Sequence, residues 1–483
     1  MARLAATLGL LAVLTLAAAC QAARSGDQTG DGGGPQDSSS GDLIGDGDLT
    51  SGGDLTGDGG AGDALAQDTS AQRPPALADW SRDILATALH LDLATLEGRA
   101  TLTLAPSSSL GASFEVGDLE ILSVEDDLGP LNYLLADEEL AVGLPAGDQP
   151  ATLTVRYHFQ AKDDYTGWMP TKGVSFIWPY YCGNLFPCHS EPADGLTFTL
   201  EISGQPQGQQ VIYPLAIPTD APSYMPALAV GNFAKLDLGT TTAGTRVLAW
   251  YLPGQQTAMH KGTANLLGVV DFLEQTYGPY PFGDTVASVS ANWDDDPYGG
   301  MEHHPFWHVA TEDLDNQEVH AHEAAHGWFG DGVRLACWED LVLSEGTTSY
   351  ISARALESQG VDVWPEFECL LAYACDPDNE VNTIALPDTC GQIDLVYDPL
   401  WSEVPYMKGA YFFRAVADLL GTAALDQFLA DFYQANVGRA ARMQDLLDAL
   451  LLAAGPQASQ LDALATAWLR TQACPLDYTT LCP

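Results

Sequence analysis

The sequence predicts an α+β chain in which an all-β region of sandwich or saddle type is followed by a mainly helical domain. Three observations predict it. Residues 21 to about 75 are Gly, Asp, Ser and Thr without apolar periodicity. From about 79 to 250 apolar residues alternate in short runs set between turn residues. After about 258 the apolar period becomes helical. The predicted divisions are a signal peptide at 1–20, a disordered linker at 21–75, a β domain at 76–255, and a helical domain with further C-terminal helices at 256–483.

Met1 to Cys20 reads as an export signal. Arg3 supplies the positive end, Leu4 to Leu16 the apolar run, and Ala17-Ala18-Ala19 precede Cys20. This ending resembles the lipobox of bacterial lipoproteins, which implies lipidation of Cys20 and attachment to the bacterial cell envelope. Gln21 in place of Asp points to the outer membrane. No later stretch offers about 18 consecutive apolar residues, so lipid is the expected membrane attachment. The linker echoes itself in GDLTSGGDLTGDGG, too irregularly for an EF-hand calcium loop.

In the β domain, Arg99 to Leu104, Ala151 to Tyr157 and Thr197 to Ile202 alternate as half-buried strands. Ala264 to Leu273 opens the helical domain and a strand follows at Asp284 to Ser290. Residues 360–402 are expected to be loop-rich. Helices are expected at Gly409 to Leu420, Leu425 to Asn436, Met443 to Ala453 and Gln460 to Thr471.

Asp and Glu number 65 against 18 Lys and Arg, a formal charge of -47. Such a surface excludes nucleic acid, which needs cationic contacts. Beyond Cys20 there are eight cysteines, an even number that in an exported chain suggests disulfides. Cys182 with Cys188, and Cys474 with Cys482, would close short local loops; the remaining pairing stays open. Cysteine zinc ligation is the weaker alternative, since paired CxxC units are lacking.

The chemistry concentrates in VHAHEAAHGWFGDGVRLACWEDLVLSEGTTSY, from Val319 to Tyr350. His322 and His326 stand one above the other on a helix, with Glu323 beside them. The helix runs toward a stop at Gly330. Eighteen residues separate His326 from Glu345, with Ser344 a candidate N-cap for a second helix. Two imidazoles and one carboxylate, with a fourth position left to water, make the ligand set of a single catalytic zinc ion. Glu323 is the expected general base, passing a proton from water to a leaving amine.

Four stretches in the same order resemble the aminopeptidase-N family of zinc peptidases, over nearly all of residues 80–470. They are the zinc segment, including Trp338 and Asp340; GGMEH at 299–303; YMKG at 406–409; and FPCHSEPADGLTFTLEI at 186–202. The resemblance implies a thermolysin-like catalytic domain behind the β domain. It implies that His322, His326 and Glu345 hold zinc and that Glu323 is the base. Tyr406 would donate a hydrogen bond to the oxyanion, and Glu302 would receive the free α-amine. Gly299, Gly300 and Met301 would line the extended peptide. Asp340 would orient a ligand histidine.

There are departures. His303 stands where the family has Asn. The stretch Phe176-Ile177-Trp178-Pro179-Tyr180-Tyr181, where a second amine-holding acidic or amide group is usual, offers aromatic rings and no carboxylate. The large C-terminal helical domain of bigger relatives is expected to be absent. His303, His304, His308 and His320 are expected to be satisfied polar residues near the cleft rather than an accessory metal site. The function expected is a zinc aminopeptidase acting on peptides outside the cytoplasm. An endopeptidase on the same scaffold, or an inactive surface binding protein, are the alternatives.

Overall fold

The computed structural model describes residues 73–177, 180–293, 299–379, 381–391 and 398–482. The export signal with Cys20, the linker through residue 72, and Trp178-Pro179 lie outside the described residues.

The N-terminal region is built of sheets. In a seven-stranded sheet, Ile84–Asp92 runs antiparallel to Glu97–Leu104 and parallel to Leu196–Ser203, and Glu97–Leu104 pairs with Ala151–His158. The alternation puts Leu89, Leu91, Ala100, Leu102, Leu153 and Val155 on the buried face. The other face is polar: Thr101 and Thr154 sit opposite each other, hydroxyls 3.0 Å apart. A three-stranded sheet buries Phe114, Leu140 and Val142.

A five-stranded sheet leads toward the site. Arg246–Tyr251, Thr285–Ala291 and Phe306–Ala310 are parallel, with Ala234–Thr240 antiparallel at one edge and Gly300–Met301 antiparallel at the other. Two of its strands precede residue 255 and three follow it, so one sheet joins the N-terminal region to the helical part.

The helices are α1 Gln256–Gly262, α2 Leu266–Tyr277, α3 Gln317–Ala325, α4 Thr347–Ser358, α5 Trp364–Cys375, α6 Glu403–Leu420, α7 Thr422–Asn436, α8 Met443–Ala454 and α9 Ala458–Leu469. α4 and α6 form the centre: α3 packs on α4, α4 on α6, and α5 and α9 on the flanks of α6. Sheets followed by helices are the α+β architecture expected. Among the described residues no helix is long and apolar enough to cross a membrane.

Several local expectations are corrected. Residues 364–375 are a helix, not loop. Pro365 falls in its first turn, where proline is tolerated, and Asp362 accepts a hydrogen bond from the Trp364 N–H at 3.1 Å. α6 begins at Glu403, not Gly409; Ser402 caps it, and Pro405 again sits in the first turn. Ser344 caps nothing. It lies in a π-helical turn, Val342–Gly346, that runs directly into α4.

All eight described cysteines are in disulfides, which leaves no thiolate for a cysteine metal site. Cys182–Cys188 forms as expected. Cys474 and Cys482 do not pair with each other. The C-terminal segment runs along α5, and its two cysteines reach Cys375 and Cys369 there, while Cys337 pairs with Cys390.

Candidate metal centre

α3 starts where the Asn316 side chain accepts the Glu318 N–H at 3.0 Å. Its buried face carries His322 and Glu323, with His326 at its C-cap. The chain then turns back through Gly330 at φ +103°, a left-handed position that favours glycine. A Cβ there would stand 2.5 Å from Nδ1 of His326. The π-helical turn lowers Glu345 onto the two imidazoles.

The three ligand atoms form a nearly equilateral triangle. Nε2 of His322 and Nε2 of His326 are 3.1 Å apart, and Oε2 of Glu345 is 3.1 Å from the first and 3.3 Å from the second. Tetrahedral zinc with bonds of about 2.0–2.1 Å separates its ligands by roughly 3.3 Å, so the triangle fits such an ion. The tautomer fits too. Nδ1 of His326 donates to the carbonyl of Phe329 at 3.2 Å, with the Ser344 and Thr348 hydroxyls each 3.4 Å away. That leaves the Nε2 lone pair facing inward. Nδ1 of His322 faces Glu318 at 3.9 Å. Two inward lone pairs and a carboxylate at such spacing repel one another unless a cation joins them.

Without a metal the charge balance is met by a proton on His326, which a bound cation would displace. Burial would push the Glu345 carboxyl up, but His326 and His322 outweigh it and bring Glu345 down to about 2. Burial would push His326 down, yet Glu345, Glu302 and Glu323 raise it well above the usual imidazole range. Glu323 is raised by burial and by Glu302, Glu345 and Glu318, and its Oε2 has no partner among the described residues. Glu302, Glu323 and His326 bring their polar atoms within 4.8 Å of one another.

The remaining predicted residues divide. Gly300 lies against the base: a Cβ on it would stand 2.3 Å from Oε1 of Glu323. Met301 completes this two-residue edge strand beside α3, and just before it the Gly299 carbonyl accepts the Ala310 N–H at 2.9 Å. Tyr406, in the first turn of α6, stacks on His322 with ring centroids 5.7 Å apart. Asp340 does not orient a ligand histidine. Fully buried, it pairs with Arg442 at the start of α8, because the turn after Cys337 faces that helix. Phe176 packs edge-on against His303 at 5.7 Å and is fully buried. Among the described residues His303, His304, His308 and His320 do not converge on a metal. His304 bonds the Glu323 carbonyl at 2.8 Å and the Tyr280 hydroxyl at 2.7 Å. His320 bonds Ser288 and the Leu314 carbonyl at 2.9 and 3.0 Å. Nδ1 of His303 meets Nδ1 of His308 at 3.2 Å.

Sequence reasoning passed over Glu318, one helical turn before His322, although its i−4 spacing was a usable signal. It named Lys408 within the YMKG segment but gave it no role. This buried ammonium donates to the carbonyls of Thr383, Thr471 and Gln472 at 3.0, 3.2 and 2.6 Å, clamping the C-terminal segment to α6. Burial pushes Lys408 down to about 8, while the three acceptors hold its protonated form.

Residues 276–468 match the model of the peptidase family M1 domain. The chain carries a peptidase family M1 domain. Zinc is the cofactor of this M1 family, and the triangle of His322, His326 and Glu345 is the candidate site for it. The chain is similar to leucine aminopeptidase 2 of Emericella nidulans, 26% identical over 297 residues, covering 56% of this chain and 46% of that one. It is also similar to a leukotriene A-4 hydrolase homolog of Botryotinia fuckeliana, 27% identical over 286 residues, covering 52% and 42%. The chain thus spans less than half the length of these curated relatives. In fold it is similar to an M1 zinc metallopeptidase from Deinococcus radiodurans, with TM-score 0.68 and 20% identity over 82% of this chain and 95% of that one. Native yeast LTA4 hydrolase gives TM-score 0.68 at 20% identity, over 82% and 69%. The fold of sheets followed by an M1 domain is therefore shared by these proteins.

Proposed function

We propose that this chain is a zinc-dependent aminopeptidase that removes N-terminal residues from peptides. One observation carries the exopeptidase reading: Glu302 lies within 4.8 Å of both Glu323 and His326, measured between their polar atoms. A carboxylate there accepts an α-ammonium group and sets the first peptide bond over the base. Bound zinc supplies Lewis-acid polarisation of the scissile carbonyl and activation of water. Glu323, wedged against Gly300, takes a proton from water and returns it to the leaving amine. The phenol of Tyr406, kept protonated by burial and by four surrounding carboxylates, donates to the oxygen on which charge develops. Gly300 and Met301, with Gly299 just before them, lie at the edge of the sheet, where an extended peptide can add as a strand. In support, a variant of the Deinococcus radiodurans M1 zinc metallopeptidase, TM-score 0.69 to this chain, is described with a Tyr-Ser-Ala substrate bound.

The proposal places the enzyme in a bacterial cell envelope, held at the outer membrane by lipid on Cys20 at the end of the Gly/Asp/Ser tether. Its support is the sequence of residues 1–75. The test compares leucyl-anilide with its N-acetyl form, with and without a chelator. Chelator-sensitive cleavage of the free amine alone is expected. Equal cleavage of both forms would make it an endopeptidase. Zinc binding with no cleavage across a peptide panel would make it a binding protein.

A further inference from the structure

The seven-stranded sheet buries one face and leaves the other to solvent, where two adjacent cross-strand rows line a hollow of about 420 Å³. Every second side chain of a strand reaches the same face, so residues two apart fall in neighbouring rows. In one row Glu201 stands beside His90, His90 beside Arg99, and Arg99 directly opposite Arg156. In the next, Thr199, Ala88, Thr101, Thr154 and Glu125 follow one another across neighbouring strands. Ala88 offers only a methyl group, which deepens the middle of that row. None of these residues belongs to the metal centre.

The first row is unfavourable by itself, because like charges directly opposite each other weaken a sheet. Counter-charges are abundant in this chain, with 65 Asp and Glu against 18 Lys and Arg. They do not neutralise the pair. Glu125 lies 3.3 Å from Arg156, but both side chains are exposed, and such ion pairs contribute little. Arg99 forms no hydrogen bond or ion pair among the described residues. Two neighbouring guanidinium forks suit an anionic group with planar oxygens, which accepts parallel N–H bonds.

The rest of the lining narrows the ligand class. The hydroxyls of Thr101 and Thr154, 3.0 Å apart, can both donate and accept. The carboxylates of Glu125 and Glu201 stand toward the two ends. They accept bonds from hydroxyls and repel further negative charge, which disfavours a polyanion without donors. No Trp, Tyr or Phe lines the hollow, so a neutral sugar finds no ring to stack on. Its size falls within the roughly 300–1,000 Å³ of small-molecule sites. One anionic group set among several hydroxyls meets each of these conditions.

We infer that the solvent face of the seven-stranded sheet binds an acidic saccharide, its uronate carboxylate held between Arg99 and Arg156 and its hydroxyls on Thr101, Thr154 and Glu125. The site shares no residue with the metal centre and does not depend on the peptidase reading. Occupied, it fastens the chain to an acidic glycan.

The test is calorimetric titration of the zinc-loaded full chain with digalacturonate and diglucuronate, at about 0.15 M salt. Galactobiose and cellobiose, their neutral counterparts, and the dipeptide glutamyl-glutamate are the comparisons. At least one uronate disaccharide should bind, with the comparisons weaker by about tenfold or more. Arg99→Gln and Arg156→Gln should each weaken that binding about tenfold, and Thr101→Val about threefold. Zinc content and circular dichroism should be unchanged in all three variants. Absence of binding by both uronates, equal binding of the neutral sugars, or full affinity in both arginine variants would overturn the inference. Tighter binding of glutamyl-glutamate would also overturn it, in favour of an acidic-peptide site.

Discussion

Gly409 and Gly346 meet backbone to backbone: a Cβ on Gly409 would stand 2.5 Å from the Cα of Gly346, and one on Gly346 would stand 2.7 Å from the Cα of Gly409. This contact seats α6 against the π-helical turn that carries Glu345. It also sets Tyr406, one turn earlier on α6, over His322. Gly409→Ala should push the two segments apart. Overpacking of this kind costs about 1–3 kcal/mol. Thermal unfolding should show a melting temperature lower by several degrees, and activity at permissive temperature should fall about tenfold or more. An unchanged melting temperature with full activity would contradict the contact.

Glu323→Gln and Tyr406→Phe should fail differently from ligand variants. Neither side chain is in the triangle, so zinc content should stay at the wild-type level. Loss of the base should lower kcat on leucyl-anilide by roughly 100-fold to 10,000-fold. Loss of the phenol should lower kcat by about 100-fold with KM little changed, since the bond forms to charge present only in the transition state. A Tyr406→Phe effect confined to KM would move that residue from oxyanion to ground-state binding.

The C-terminal segment is held to α5 by Cys369–Cys482 and Cys375–Cys474. Non-reducing peptide mapping should find Cys474 and Cys482 each joined to a cysteine of residues 364–375. Removing the Cys375–Cys474 pair should cost about 2–5 kcal/mol in denaturant unfolding. Peptides joining Cys474 to Cys482 would contradict this connectivity.

Three buried imidazoles should stay neutral well below neutral pH. Burial brings His304 and His308 down to about 3 and His320 to about 4. Unfolded histidine titrates near about 6.5. Their contribution to stability is thus present above roughly pH 6.5 and lost as pH falls toward those folded values. In NMR titration their ring signals should not move between pH 8 and 5. His158, hydrogen-bonded to Glu120 at 3.1 Å and 3.6 Å from Glu97, is raised by both and should titrate at higher pH. A His320 signal with a midpoint near 6 would contradict its burial.

What was legible in the sequence follows the range of each interaction. His322, Glu323 and His326 share one helix, so spacing alone placed them, and the distance to Glu345 sufficed to nominate the third corner. Strand alternation was legible because each strand pair buries one face, as Leu102 and Leu153 show. The start of α6 was set too late, at Gly409, because Pro405 lies just before it. Proline is harmless in an opening turn, and Gly409 is there for Gly346. The helix at 364–375 was masked in the same way by Pro365. Asp340 was misread because its partner, Arg442, lies 102 residues away. The buried hydrogen bond from Tyr224 to Asp331 joins residues 107 apart, and no local pattern marks it. The disulfides of the C-terminal segment likewise span 99 and 113 residues.

Elemental analysis of zinc per chain, in the wild type and in His326→Ala and Glu345→Ala, tests the central claim most directly. The account predicts about one zinc per wild-type chain, and in both variants a loss of nearly all of it together with chelator-sensitive hydrolysis. A full zinc equivalent retained in both variants, or a wild-type chain that hydrolyses aminoacyl substrates without zinc, would contradict it.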